Sequence, residues 1–252
     1  MALAGQWDVV EKLRNGVDLY CDFASKLFGR DITKADEAER QLGKVAMLSL
    51  QYGAGAARFQ EMVRLVSRSV PALQPISDNQ AQDIVNLYRN VHGKVVELWD
   101  ACQHRVLPDI ANGCSLAHVD VNGWFITQWD GFGRPGEPGV VYRNLQQNQR
   151  SREWSYTMGK YDVHIYGPKV VENLSQHAAM RIVMWQTARI NERYPVKLSV
   201  HDEAVVVVPR EQAEEARAYM LECLSLAPKW CRDTIPVKGE VGFGDTYGSA
   251  KK

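Results

Sequence analysis

Residues 197–208 read KLSVHDEAVVVV, and this stretch decides the fold of the C-terminal part of the chain. Its two apolar runs flank the polar residues His201-Asp202-Glu203, a pattern that predicts two short strands around a tight turn. Helical periodicity precedes the stretch over residues 168–190 and follows it over residues 210–227. Helices packed on a small antiparallel sheet are typical of an α+β layer. We therefore predict an α+β fold, with residues 237–244 (VKGEVGFG) as a last strand.

The N-terminal part of the chain has almost purely helical patterns. Apolar residues recur on one face of each predicted helix, and Thr33 precedes an acidic first turn, as an N-cap would. The pattern becomes alternating and irregular over residues 115–160, which predicts a β-rich insert. We predict a domain boundary near residue 160. The predicted helices of the N-terminal part cover residues 17–28, 34–51, 56–68 and 77–107.

Composition limits the class of protein but does not reveal a partner. The chain has 252 residues, and thirty Lys and Arg are balanced by thirty Asp and Glu, so the net charge does not indicate nucleic-acid binding. No apolar run approaches the roughly 18 residues of a membrane span, and no secretory signal is visible. Five cysteines indicate free thiols in a reducing compartment. We expect a cytoplasmic protein without a membrane partner.

Four side chains recur at four-residue steps and predict a binding stripe: Arg40, Lys44, Leu48 and Tyr52, followed by Gly53. On a helix each step rotates by about 40°, so the stripe extends over about 18 Å. Two cations one turn apart suit a polyphosphate, because Arg binds oxygens bidentately and Lys acts as a point charge. The tyrosine ring offers a stacking surface for a base. The alternative, a solvated helix face with a tyrosine at its end, stays open from the spacing alone.

The carboxylates at the hairpin predict a second site. Asp202 and Glu203 lie between apolar strands, where carboxylates need a metal or a polar partner. Oxygen ligands at a strand end suit Mg²⁺, which keeps waters for a phosphate substrate. The alternative is a polar turn that only closes the hairpin.

A third pattern lies at the start of the helix before the hairpin. Tyr166-Gly167-Pro168-Lys169 is followed by Asn173 and Gln176, which lie three residues apart and face one way on a helix. Amide side chains in this arrangement could contact base edges or sugars. The alternative is an ordinary polar helix face.

Taken in order, the three patterns resemble motifs of the family A DNA polymerases, the polymerase I class. RQLGKVAMLSLQYG (40–53) resembles the finger-helix motif, in which Arg, three residues, Lys and seven residues precede Tyr-Gly. VHDEAVVV (200–207) resembles the palm motif with His-Asp-Glu at a hairpin. YGPKVVENLSQ (166–176) resembles the stretch before that motif, most of all in bacteriophage members. The resemblance covers nearly the whole chain, and residues 115–160 match loosely.

The resemblance implies a fold and an activity. Residues 1–160 would form the helical fingers with the insert, and residues 161–252 would form half of an antiparallel-sheet palm with packed helices. The activity would be DNA-directed DNA polymerisation, in which the primer 3′-hydroxyl attacks the α-phosphate of a dNTP between two Mg²⁺ ions. Primer-template DNA and dNTP would be the partners, and a phage enzyme would work in the host cytoplasm.

The resemblance also implies roles for individual residues. Arg40 and Lys44 would hold the triphosphate, and Lys44 would also protonate the departing pyrophosphate. Tyr52 and Gly53 would shape the pocket of the nascent base pair. Leu48 stands near the sugar, where the family commonly has Phe or Tyr, so sugar discrimination is in doubt.

The palm-like residues complete the set of roles that the resemblance implies. Asp202 would bind catalytic magnesium with support from Glu203, and His201 would lie near the primer terminus. Gln176 and Asn173 would contact the minor groove of the primer-template.

One family motif is absent from the sequence. Family A enzymes use a second metal-binding aspartate in an upstream Asp-x-Ser-x-x-Glu motif, and LAGQWDVV (3–10) resembles the sequence that follows it. We therefore expect a partner chain that supplies this aspartate, the thumb and any exonuclease. One alternative is an inactive remnant that binds DNA or another replication protein. Another is a metal-dependent nuclease that uses His201 and Asp202, for which further carboxylates at a recognisable spacing are lacking.

Overall fold

The computed structural model describes residues 1–113, 120–121, 125–128, 130–134, 138–231 and 234–250. Helices and small antiparallel sheets make up the described chain, which confirms the α+β class. The chain packs as two compact units, Met1–Leu174 and Ser175–Lys252. The predicted division into fingers and palm at residue 160 stays a prediction. Within the described residues, no helix is both long and apolar enough to cross a membrane.

Helices form most of the first unit. The predicted helices over residues 17–28, 34–51 and 56–68 are present with small shifts at their ends. The helices are α1 (Trp7–Arg14), α2 (Leu19–Phe28), α3 (Glu37–Leu50), α4 (Ala56–Ser67), α5 (Asp78–Val91), α6 (Gly93–Ala101) and α7 (Leu107–Ala111).

Two sequence-based expectations about these helices are wrong. Thr33 is not the N-cap of α3, because the Asp36 carboxylate accepts hydrogen bonds from the Thr33 N–H (2.8 Å) and hydroxyl (3.0 Å). This turn delays the helix until Asp36 becomes its N-cap. The single helix predicted over residues 77–107 is also interrupted, because His92 (φ −113°, ψ 48°) leaves the helical region. A π-helical segment, Cys102–Val106, then joins α6 to α7.

The core of the first unit holds α3 tightly against α2. Phe23 and Tyr88 are fully buried, with ring centroids 5.9 Å apart in an edge-to-face arrangement. A Cβ atom at Gly43 would lie 2.3 Å from the Tyr20 carbonyl oxygen, so only glycine allows this approach of the two helices. Glycine inside a helix is about 1 kcal/mol less favourable than alanine, so close packing explains its presence. The contact fixes the direction in which α3 presents Arg40 and Lys44.

Strands replace helices between residues 120 and 165. In the described chain two antiparallel sheets follow one another, the first of four strands and the second of three, and strands adjacent in the sequence are adjacent in each sheet. Residues 115–119, 122–124, 129 and 135–137 of the predicted insert lie outside the described residues. The strands are β1 (Asp120–Val121), β2 (Phe125–Gln128), β3 (Gly131–Gly133), β4 (Val140–Val141), β5 (Gln146–Gln147), β6 (Trp154–Met158) and β7 (Tyr161–Ile165).

The second unit contains the predicted hairpin. Helix α8 (Gly167–Arg193) begins in the first unit and ends in the second. Strands β8 (Val196–Val200) and β9 (Glu203–Val206) pair in antiparallel fashion, with Val200 opposite Glu203. The predicted hairpin is therefore confirmed. A short 3₁₀ turn, Arg210–Gln212, leads into α9 (Ala213–Ser225), and α10 (Tyr247–Ala250) ends the described chain.

The strand predicted over residues 237–244 is wrong, because this segment joins no sheet. Its valines pack against helices instead. Val237 packs with the buried cluster of Ile182, and Val241 packs with the buried cluster of Met220. The Arg217 Nε donates a hydrogen bond to the Val241 carbonyl oxygen (3.1 Å). Side-chain contacts rather than a strand ladder hold the segment in place.

Candidate nucleotide and metal site

The predicted stripe lies on α3 and the turn after it. Arg40, Lys44 and Tyr52 are partly buried, and Leu48 between them is 47% exposed. No hydrogen bond or ion pair joins Lys44 to any residue that the structure describes. A partly desolvated ammonium without a carboxylate partner is available to an anionic ligand. The geometry therefore favours the binding interpretation of the stripe at Lys44.

Arg40 is already engaged within the first unit. Its Nε lies 2.9 Å from Asp18 Oδ2, and a terminal guanidinium nitrogen lies 2.8 Å from the same oxygen. Its guanidinium carbon also lies 5.5 Å from the centroid of the Tyr20 ring. Arg40 can therefore bind a phosphate only if its guanidinium contacts Asp18 and the phosphate together, or releases Asp18.

Asp18 links this ion pair to the start of α2. Its carboxylate caps the helix by accepting hydrogen bonds from the Tyr20 (3.0 Å) and Cys21 (3.2 Å) N–H groups. Burial opposes ionisation of the carboxyl, but the Cys21 N–H and the Arg40 guanidinium outweigh it, so the pKa of Asp18 lies below its usual value. Asp18 thus stays charged and holds Arg40 in place.

The end of the stripe packs against the start of α8. Gly53 has a φ of 79°, and a Cβ atom there would lie 2.6 Å from the Cβ and Cγ atoms of Pro168. Burial raises the pKa of the Tyr52 hydroxyl, Glu172 raises it further and Lys169 lowers it. The structure therefore brings together two motifs, Tyr-Gly and Tyr-Gly-Pro-Lys, that are distant in the sequence.

Two residues that support this junction were missed by the sequence analysis. The Trp99 indole N–H donates to the Gln51 carbonyl oxygen (3.2 Å), and Gln103 Oε1 accepts from the Gly167 N–H (2.8 Å). A Cβ atom at Gly167 would lie 2.0 Å from the Trp99 carbonyl oxygen. A tryptophan and a glutamine in an ordinary helical pattern carry no spacing signal that could have revealed them.

The two amides predicted to contact DNA have different surroundings. The Asn173 Nδ2 donates a hydrogen bond to the buried Tyr142 hydroxyl (2.9 Å), so this amide joins α8 to the strand-rich insert. Gln176 is exposed and belongs to the second unit. Their contact with the minor groove stays a prediction.

The carboxylate motif forms the hairpin turn of the second unit. His201 and Asp202 are the two turn residues, and His201 has a φ of 53°. Left-handed backbone is uncommon outside glycine and is often found at functional sites. Asp202 is exposed, and no hydrogen bond or ion pair joins it to a described residue. Glu203 is partly buried and accepts a hydrogen bond from the Tyr247 hydroxyl.

These carboxylates fit part of a magnesium site. The exposed Asp202 oxygens are hard ligands of the kind that Mg²⁺ prefers. In the described part of the chain, however, no group of three or more His, Cys, Asp or Glu side chains could hold a metal ion. Two-metal sites place ions about 3.5–4 Å apart and need more carboxylates than one hairpin offers. Other ligands must complete such a site.

An apolar groove adjoins the hairpin within the second unit. It has a volume of about 830 Å³ and lies along α8 and β8, with His201 and Asp202 among its lining residues. Met180 and Met184 line it and are 45% and 57% exposed. Among the described strands, only β9 pairs with β8. We name this surface the α8–β8 groove.

The groove side of α8 was not predicted from the sequence, although helical periodicity over residues 168–190 predicted the helix itself. Leu174, Ala178 and Ile182 lie on its buried side. Ala179, Val183 and Ala188 form part of a second apolar stripe that lines the groove. Apolar residues on both sides of a helix cancel in a periodicity analysis, so the second stripe leaves no clear signal.

Comparison with known proteins relates the chain to DNA polymerases. No family model matches it. It is similar to the DNA polymerase of Bacillus phage SP02, with 26% identity over 248 residues that cover 89% of this chain. The chain spans 36% of the length of that polymerase.

Proposed function

We propose that the chain is part of a DNA-directed DNA polymerase of family A and supplies its nucleotide-binding helix and one of its metal-binding carboxylate sites. The observation that carries the proposal is the junction of Gly53 with Pro168, which brings two polymerase-like motifs into contact. Sequence similarity to a phage DNA polymerase supports the same activity. The reaction would be nucleotidyl transfer from a dNTP to a primer.

The first unit would bind the incoming nucleotide. Lys44 would meet the triphosphate, because it is partly buried and has no carboxylate partner among the described residues. Arg40 would join it if its guanidinium bridged the phosphate and Asp18. Tyr52 would stack against the base pair, and Leu48 would lie near the sugar.

The second unit would supply the groups that face the reacting phosphate. Asp202, with support from Glu203, would hold Mg²⁺, which when bound activates the attacking hydroxyl and neutralises phosphate charge. His201, which has left-handed backbone in the hairpin turn, would lie near the primer terminus. Gln176 and Asn173 would contact the minor groove of the primer-template.

A further polymerase segment would cover the α8–β8 groove. A helix that is apolar on two sides is suited to burial on both, and exposed methionines line the uncovered side. The unpaired edge of β8 could also accept another strand. The related polymerase is longer than this chain, so such a segment has a source. We propose that a partner chain carries it, together with the second aspartate, the thumb and any exonuclease.

The nucleotide site can be tested on the chain alone. We expect Lys44→Ala to weaken binding of a fluorescent dATP analogue, measured with Mg²⁺, by about tenfold or more, since hydrogen bonds to charged groups contribute about 1.5–3 kcal/mol. Lys34→Ala is the matched control, because Lys34 is an exposed lysine outside the stripe. Equal effects of the two variants, or no nucleotide binding by the wild type, would contradict the proposal.

Activity distinguishes the polymerase from the alternative of an inactive binding protein. It is measured in the enzyme formed by this chain and its proposed partner chain. There, Lys44→Ala should slow nucleotide addition by roughly 10²–10³-fold and weaken DNA binding far less, since it meets charge that develops in the transition state. Nucleotide binding without primer extension by the completed enzyme would favour an inactive binding protein.

A further inference from the structure

The sheet of β5, β6 and β7 ends in a hairpin whose tip is exposed. Met158 and Tyr161 pair across the tip, and Gly159 and Lys160 form the turn between them. Met158 is 59% exposed and Tyr161 is 76% exposed. Each of these strands is buried at its other end, where Trp154 lies opposite Ile165. One apolar face of the hairpin therefore runs from a buried base to an exposed tip.

The base of this hairpin is firmly held within the first unit. The Tyr156 ring packs edge-to-face against the buried Tyr142 ring, with centroids 5.1 Å apart. The Tyr142 hydroxyl in turn accepts the hydrogen bond from Asn173 on α8. The tip therefore belongs to a sheet that is packed at its other end. Its apolar side chains are exposed although the rest of the hairpin is held in place.

Cations outnumber acidic residues along the β5–β7 sheet: Arg143 and Lys160 lie near the tip, and Arg150 and Arg152 lie in the turn before β6, at the other end of the strands. Residues 139–166 contain only two acidic residues, Glu153 and Asp162, and the Asp162 carboxylate accepts a hydrogen bond from the Thr157 hydroxyl (3.3 Å). Within the described chain, no ion pair engages any of the four basic residues of this stretch. These exposed cations are Arg143, Arg150, Arg152 and Lys160.

We propose that the β5–β7 sheet binds single-stranded DNA, with Tyr161 and Met158 contacting unpaired bases and the four cations contacting phosphates. Aromatic side chains beside a positive surface bind single strands without sequence preference, because every base has a face that can stack. In a duplex those faces are covered by neighbouring base pairs. A single DNA strand that runs along the sheet would match both features, with unpaired bases at the apolar tip and phosphates at the cations.

This inference rests on the proposed polymerase function, in which the bound strand is unpaired template. The sheet would then hold template that has not yet been copied. This site is separate from the proposed nucleotide site at Lys44. The two sites use different residues, so each can fail without the other.

Fluorescence anisotropy of the full chain with a labelled oligothymidylate of 20 nucleotides tests the proposal. We expect Tyr161→Ala to weaken binding by about tenfold, while Tyr161→Phe keeps the ring and most of the affinity. A labelled duplex of equal length should bind Tyr161→Ala as it binds the wild type. Phe28→Ala is the matched control, because Phe28 is a 44% exposed aromatic at the end of α2.

The contribution of the cations is measured separately, from the salt dependence of oligothymidylate binding. Replacing both Arg150 and Arg152 with alanine should reduce the slope of log affinity against log salt by about 0.7 for each phosphate contact removed. Circular dichroism checks that the variants keep their secondary structure.

Two results would overturn the proposal. They are no binding of the oligothymidylate by the wild type, and equal losses in Tyr161→Ala and Phe28→Ala. A loss of single-strand binding with normal nucleotide binding at Lys44 would support the sheet as a distinct site.

Discussion

The two compact units of the chain differ in how far their central elements are buried, although both also expose large apolar side chains. In Met1–Leu174, large aromatic side chains such as Phe23, Phe59 and Tyr88 are fully buried. In Ser175–Lys252, no residue of β8 or β9 is buried, and Leu198 and Met184 are 47% and 57% exposed. The first unit encloses an aromatic core, whereas the second exposes the apolar α8–β8 groove, which we propose another segment covers.

The same contrast applies to the chemistry of the two units. The first unit positions Lys44 and Tyr52 through contacts of its own, including the packing of Gly53 on Pro168. The second unit presents Asp202 at a turn, where the described residues do not include enough neighbouring carboxylates for a two-metal site. Burial and side-chain contacts therefore separate the proposed nucleotide site, which the first unit positions by its own contacts, from the proposed metal site, for which we propose further ligands from another segment.

Among the substitutions considered, one that disrupts the contact of Gly53 with Pro168 in the first unit should have the largest effect on stability. We expect Gly53→Ala to lower the free energy of unfolding by about 2 kcal/mol or more, because alanine is strained at a φ of 79° and its Cβ would collide with Pro168. Urea unfolding followed by tryptophan fluorescence measures the change. Gly55→Ala is the control, since a Cβ there meets no atom within 4 Å. Equal losses in the two variants would show that the junction is not tightly packed.

The open surface of the second unit should drive self-association. We expect sedimentation velocity to show oligomers of the isolated chain, and Met184→Lys to weaken their association about tenfold, because burial of a methionine contributes about 1.5–3 kcal/mol. Met158→Lys is the control, since Met158 is equally exposed and lies outside the α8–β8 groove. A wild-type chain that stays monomeric at high concentration would mean that the groove needs no cover.

The smallest expected effect concerns the Asp18–Arg40 pair of the first unit. Because the pKa of Asp18 is lowered in the folded chain, its contribution is present above the unfolded carboxyl pKa of about 3.9 and is lost as the pH falls through the folded value. Asp18→Asn should therefore lower the free energy of unfolding by up to about 1 kcal/mol near neutral pH. The difference from wild type should shrink below about pH 4. Urea unfolding of both proteins from neutral pH to below about pH 4 measures this difference in free energy of unfolding. A difference that does not depend on pH would exclude the ion pair as its cause.

Much of the fold could be predicted because burial leaves a periodic pattern. The hairpin at His201-Asp202 and the helix that carries Arg40 and Lys44 both follow from such patterns. The break at His92 could not be predicted, since the residues on each side continue a good helical pattern. The strand at 237–244 was wrong because valines that pack on helices resemble valines in a sheet.

The parts of the site that could be predicted are those that lie within one element. The stripe on α3 follows from four-residue spacing, and the turn carboxylates follow from their place between two strands. The engagement of Arg40 by Asp18 could not be predicted, because it depends on how α2 packs against α3. The Gly53–Pro168 contact likewise requires the tertiary structure, although each residue belongs to a recognisable motif.

Primer extension tests the central claim most directly. The chain is assayed with Mg²⁺, primer-template and dNTP, first alone and then after co-expression with the polymerase segments encoded beside it in the same or a neighbouring reading frame. We expect no incorporation by the chain alone, and templated incorporation by the complex that Asp202→Asn abolishes. Incorporation by the isolated chain, or a stable complex that extends no primer, would contradict the account.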